Sequence, residues 1–204
     1  VFQGWAETGD NDVWKALGAM DQGVDRESGT NVVMKWKIQN EGFDALFDEV
    51  DALKTRFEPG SPRDFKLSAL RSAIGLCAFY DPEKALAFAR RYTGTPYDNG
   101  LLRRVAIFWV VNDGPSAMDA ILALPESAQR DKAARDGYTK WLRTDGPAAI
   151  AWMPDEATRD ERYASLTDVY AVSLARAKSS GEPAEAIRKA IAWAEQIENP
   201  TRRK

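Results

Sequence analysis

Apolar side chains recur along this chain three and four residues apart, the spacing that places them on one face of an α-helix. Ala85, Phe88 and Ala89 show it, as do Ala117, Ala120, Ile121 and Leu124, and Ala186, Ile187, Ala190 and Trp193. Each run follows a proline, at Pro82, Pro115 and Pro183, and the same arrangement surrounds Pro147. Asp or Asn before such a proline is a helix-start signal, because its side chain accepts a free N–H and proline has none to lose. A second set of periodic runs precedes these turns: Ala134, Tyr138 and Trp141 counted from Arg130, then Tyr163, Leu166 and Tyr170 counted from Arg159. The pattern predicts a helix ending near an aromatic residue, a tight turn, and a second helix starting at the proline.

The unit repeats. Trp109 precedes Asp113-Gly114-Pro115 by four residues, and Trp141 precedes Asp145-Gly146-Pro147 by four. Aligned on the turn, the column reads Gly9, Asn40, Asp81, Asp113, Asp145 and Gly181, at spacings of 31, 41, 32, 32 and 36. Four residues upstream stand Trp5, Trp36, Cys77, Trp109, Trp141 and Ala177. A period near thirty residues marks a repeat architecture, in which each unit buries its apolar face against the next. The fold expected is therefore all-α, a right-handed α-α superhelix, or solenoid, of about six helical hairpins. It runs over residues 1–204 as a single continuous array. Three turn-rich stretches interrupt the period, at Thr55 to Arg63, Thr93 to Gly100 and Ser179 to Pro183, each too short to be an interdomain linker. Trp5 falls late in a first helix, and Glu198 to Arg203 repeats the start of another unit. Both ends thus cut through a repeat, which leads us to expect a longer polypeptide or an assembly that covers them.

The last complete unit, Tyr170 to Pro200, resembles a tetratricopeptide-type repeat. Its turn and helix from Gly181 to Ala190, closing at Asn199-Pro200, carry the likeness. The Trp units also resemble Ala- and Trp-rich helical-hairpin repeats of bacterial proteins. The resemblance implies an α-solenoid and, by analogy, a protein-binding role.

Charge and composition remove several alternatives. The 204 residues carry a net charge of −3, so no positive field draws the chain to nucleic acid. Helical-repeat DNA glycosylases use Arg, Trp and a catalytic Asp, but Arg90-Arg91, Arg103-Arg104 and Arg202-Arg203 are scattered and offset by acid. Apolar runs such as Val105 to Val111 fall short of the roughly 20 residues of a membrane helix. With no histidine and one cysteine, Cys77, the chain has neither a Ser-His-Asp nor a Cys-His mechanism, nor a Cys-based zinc site. No metal and no cofactor is expected.

Chemistry is left to carboxylates and arginines. The clusters Asp48-Glu49-Val50-Asp51 and Asp155-Glu156 with Asp160-Glu161 fall at helix ends or turns, where solvation keeps ordinary acidity and argues against acid–base work. Arg26, Arg130 and Arg159 each follow the previous hairpin by seven residues, a ladder for an acidic ligand or, more simply, a stacking contact. The tryptophan column, with Cys77 in it, reads as core rather than as a stacking platform. The expected function is a non-catalytic scaffold that binds a protein or peptide along the superhelix, with Asn31, Arg104, Arg135 and Arg162 on its binding face. The alternatives are a helical arm of a larger enzyme or cell-envelope assembly, and a carboxylate enzyme in an α/α pocket.

Overall fold

The computed structural model describes residues 12–55, 57–98, 100–154, 157, 159–176 and 183–197. Those residues form eleven α-helices and no strand. They fall into two compact units, residues 1–101 and 102–204.

In the first unit lie α1 (Asp12–Ala19), α2 (Val24–Asn40), α3 (Gly42–Ala52), α4 (Phe65–Tyr80) and α5 (Pro82–Arg90). Consecutive helices pack on one another, and α2 also touches α4. The core is aliphatic and aromatic: Leu17, Met34, Leu46, Leu70 and Ile74 are fully enclosed, and Phe47 stacks on Phe88 with ring centres 3.7 Å apart. The loop between α3 and α4 is the expected Pro-Gly-Ser-Pro stretch. Asp64 ends it by accepting Lys66 N at 2.9 Å, and it also ties down Gly60 N.

The second unit contains α6 (Leu101–Trp109), α7 (Gly114–Leu122), α8 (Ala128–Thr144), α9 (Gly146–Trp152), α10 (Thr167–Arg176) and α11 (Pro183–Glu195). Helix α7 packs on α8, α8 on α9 and on α10, and α10 on α11. Tyr138, in the middle of α8, is fully buried and donates its hydroxyl to Ala149 O at 3.0 Å.

The helix starts foreseen from Asp-Pro and Asp-Gly-Pro are present. Asp81, Asp113 and Asp145 share nearly one backbone conformation, φ −142, −148 and −147°, and each accepts the N–H three residues on, at 3.1, 3.0 and 3.2 Å. Such caps are each worth about 1 kcal/mol. The glycine takes the first helical position where one precedes the proline, so Pro115 and Pro147 sit one residue further in.

Other expectations change. Helices α2 and α3 are joined by Glu41 alone, with Gly42 in the left-handed region (φ 86°) and Asn40 turned back on Trp36 O. Without the Asp–Pro tip, Trp36 is only half-buried, whereas Cys77, Trp109 and Trp141 are buried. The helix expected from Arg159 through Tyr170 is broken. Asp160 instead caps a 3-10 turn, Glu161–Tyr163, and α10 starts only at Thr167. Trp5, Gly9, Ala177, Gly181, Asp155, Glu156 and the repeat start at Glu198 lie outside the described residues.

Candidate functional site

In the second unit the period is written in ion pairs. Arg103 on α6 meets Asp136 on α8 at 2.5 Å, and Arg135 on α8 meets Asp168 on α10 through two parallel bonds of 2.8 and 2.6 Å. The donors are 32 residues apart, and so are the acceptors. Helix α10 therefore stands to α8 as α8 stands to α6. Trp152 on α9 repeats the step on the second helices, donating to Asp119 on α7 at 3.3 Å.

This register moves one assignment. Counting from the turn puts Ala177 in the tryptophan column, but the ladder makes Ser173 the counterpart of Trp141. At the α7–α8 contact the indole of Trp141, 3 % exposed, lies so close over Gly114 that a methyl group there would overlap it. At the next contact Gly146, the counterpart of Gly114, has nothing among the described residues within 4 Å of where its Cβ would stand.

A groove of about 1010 Å³ opens at that place, between α8, the start of α9 and α10. Its size is at the upper end of the ~300–1,000 Å³ usual for ligand clefts. Leu142, Pro147, Ile150, Val169 and Val172 supply the aliphatic lining, and Val172 is 47 % exposed. The rim is charged. Arg135 is held by Asp168 and Asp136 by Arg103, while Arg143 has no ion pair among the described residues.

The four residues expected on a binding face separate. Arg135 lines this groove, but its guanidinium is already occupied by Asp168. Arg104 is half-buried with its guanidinium over Phe108, 5.6 Å from the ring centre. Arg162 folds back on Asp160 at 2.5 Å, and Asn31 is exposed on α2 in the first unit. Sequence reasoning missed Leu142, Ile150, Val172 and Ser173. The signal for them was present: at a step of 32, serine falls where tryptophan is due.

The first unit has a smaller cavity of about 540 Å³, lined by Trp14, Glu49, Leu53, Phe57 and Phe65. Its carboxylate is not the solvated group expected from the acidic cluster. Glu49 accepts Trp14 Nε1 at 2.7 Å and the buried Lys37 ammonium at 2.5 Å. Asp51 likewise takes Tyr92 Oη and Arg91, each at 2.7 Å, while Lys66 donates to its backbone carbonyl. Burial pushes the Asp51 carboxyl up, but the Tyr92 bond and the Lys66 and Arg91 charges outweigh it and hold it below the usual value. Glu49 thus binds side chains of α1 and α2, and Asp51 binds Lys66 on α4 and the two residues that follow α5, so the helix end they occupy is a junction.

The arginine ladder serves structure in its two buried members. Arg26 donates to Met20 O and lies over Phe65, and Arg130 pairs with Asp131. Arg159 is exposed. Cys77 is fully buried beside Asp81 O, and burial, with the Asp81 charge, pushes its thiol up to about 12. No group of three or more potential metal ligands is assembled among the described residues. No described helix is long and apolar enough to cross a membrane. Comparison with protein-family models, curated proteins and solved structures gives no match, so the groove is interpreted from its own geometry.

Proposed function

We propose that this chain is a non-catalytic helical-repeat scaffold, its hairpins piled as a right-handed superhelix, that binds a protein or peptide segment. The observation that carries the reading is the groove between α8, α9 and α10. It is an open cleft with an aliphatic lining and a rim whose acidic groups, Asp136 and Asp168, are paired. An extended segment gains affinity there by burying apolar area, at roughly 25 cal/mol per Å². The rim groups then orient it by hydrogen bonding. The ladders from Arg103 to Asp136 and from Arg135 to Asp168 support the stacked arrangement. They hold successive hairpins of the second unit in one register.

Selection of a displayed random-peptide library on the 204-residue chain tests this. Selected peptides are expected to lose binding at least tenfold on Ile150→Glu, which places a charge on the groove floor. If Ile150→Glu leaves every selected peptide bound as before, the groove is not the binding surface.

A further inference from the structure

Two of the places where the repeat departs from itself bear on the groove. In the α6–α7–α8 contact, Gly137 allows α8 to approach α6 so closely that its Cβ position is 3.0 Å from the Ala106 methyl. The counterparts in the α8–α9–α10 contact, one period on, are Val169 and Tyr138, both larger. The second change bears on the corner itself. Trp141, whose indole seals the Gly114 corner, becomes Ser173, which leaves the matching Gly146 corner open. The helix start is kept between the two corners, whereas Ile107, Val111 and Lys140 become Thr139, Arg143 and Val172. Gly114-Pro115 corresponds to Gly146-Pro147, and Met118 corresponds to Ile150.

Resting on the binding role argued above, we propose that this groove is a socket for one aromatic side chain, tryptophan above all, presented by a partner peptide with a carboxylate beside it. The molecule itself shows what covers such a corner, since the preceding repeat places an indole there. The charge of the rim sets the neighbour. Its acidic groups are taken by Arg103 and Arg135, which leaves Arg143 as the rim cation without an ion pair among the described residues. An acidic residue next to the anchor meets Arg143, and a basic one does not. Large rigid aromatics are the side chains that most often carry binding energy in pockets of this kind.

The test uses the whole 204-residue chain and a capped acidic hexapeptide with one central tryptophan, compared with the same peptide carrying leucine or alanine there. The tryptophan peptide is expected to bind at least tenfold more tightly than the other two. Amide shifts of the isotopically labelled chain should centre on Gly146, Ile150 and Val172. Ser173→Trp restores the missing indole from within. It should abolish binding and raise the melting temperature together, an outcome that mere surface damage does not give. Arg143→Ala should weaken the acidic peptide about three- to tenfold, as expected for loss of one ion pair, and leave an uncharged tryptophan peptide unchanged.

Equal binding of the leucine peptide overturns the aromatic anchor. So does Ser173→Trp that binds as the parent does, or that melts lower because there is no room. Val172→Lys blocks the groove without filling it, and retained binding in that variant also overturns the proposal. If the displayed library yields groove-binding peptides with aliphatic anchors, the aromatic socket falls and the scaffold reading stands. If Ile150→Glu affects no selected peptide, both fall. A chain that self-associates through the groove, with the dimer lost on Ser173→Trp, would replace the peptide by a second copy and overturn it as well.

Discussion

The two glycines at the helix starts of the second unit provide a matched experiment. Replacing either with alanine reduces the freedom of the unfolded chain and stabilises by about 0.4–1 kcal/mol where the native backbone accepts it. Neither glycine has a left-handed backbone, so that gain is open to both. At Gly146 there is nothing among the described residues within 4 Å of the new methyl group, and the gain is expected in full. At Gly114 the methyl would overlap the ring of Trp141. That ring is fixed by Tyr138 and Trp152, with centroids 6.3 and 5.8 Å away, and it has no flexible end to yield. Overpacking of this kind costs about 1–3 kcal/mol, occasionally more. The gain being common to both, the two substitutions should differ by the overpacking cost, roughly 1–3 kcal/mol. Urea unfolding followed by tryptophan fluorescence measures it, with Gly114→Ala moving the midpoint down and Gly146→Ala moving it up. In a Trp141→Leu background the Gly114→Ala penalty should shrink, giving a coupling of about 0.5–3 kcal/mol. Equal effects at the two glycines, or no coupling to Trp141, would refute the claim that the indole seals one corner and leaves the other open.

Three further outcomes follow from the first unit. Glu49→Gln leaves the Lys37 ammonium, 5 % exposed, with only Glu41 at 3.4 Å as an anionic partner, and should cost about 1.5–3 kcal/mol in urea unfolding. Adding Lys37→Met should recover part of that loss, because a buried charge no longer goes unpaired. Asp51 has a folded-state pKa below its ordinary value, so its contribution is complete above the unfolded value of about 3.9 and disappears as pH falls through the lower folded one. Unfolding titrations between pH 5 and 2 should show a steeper acid loss for the parent than for Asp51→Asn. Cys77, with its thiol raised to about 12 and no exposed surface, should resist iodoacetamide at pH 8 in the folded chain and react fully in urea.

How far the sequence reveals the molecule depends on whether a feature is local. The helix starts at Asp81, Asp113 and Asp145 are visible because a cap needs only its own residue and the next three N–H groups. The loops at Thr55 to Arg63 and Thr93 to Gly100 announce themselves by proline and glycine. The break before Thr167 is less visible. Tyr163, Leu166 and Tyr170 keep helical spacing, yet the Asp160 carboxylate caps Arg162 N and closes a short turn there first. Asp51 escaped for a different reason. Its partners Arg91 and Tyr92 lie 40 and 41 residues on, and Lys66 lies 15 on, so a carboxylate at a helix end looked solvated when it is a junction. Among the expected binding residues, only Arg135 lines the groove: Arg104 lies over Phe108, Arg162 turns onto Asp160 two residues back, and Asn31 belongs to the first unit.

Repetition itself explains where the cleft falls. In a stacked array each hairpin is the solvent-excluding lid of the one before, so a faithful copy leaves no cavity at any step. The pair Gly137 and Trp141 is such a copy: small where helices must touch, large where a corner must be filled. Changing both together, to Val169 and Ser173, inverts the pair. The loss of the indole withdraws the filling, so a corner stays open in an interior that otherwise packs to near-crystal density. The ladder from Arg135 to Asp168 keeps α10 in register while this happens. Register and filling are thus separable, and Ser173→Trp should refill the corner without disturbing that ion pair.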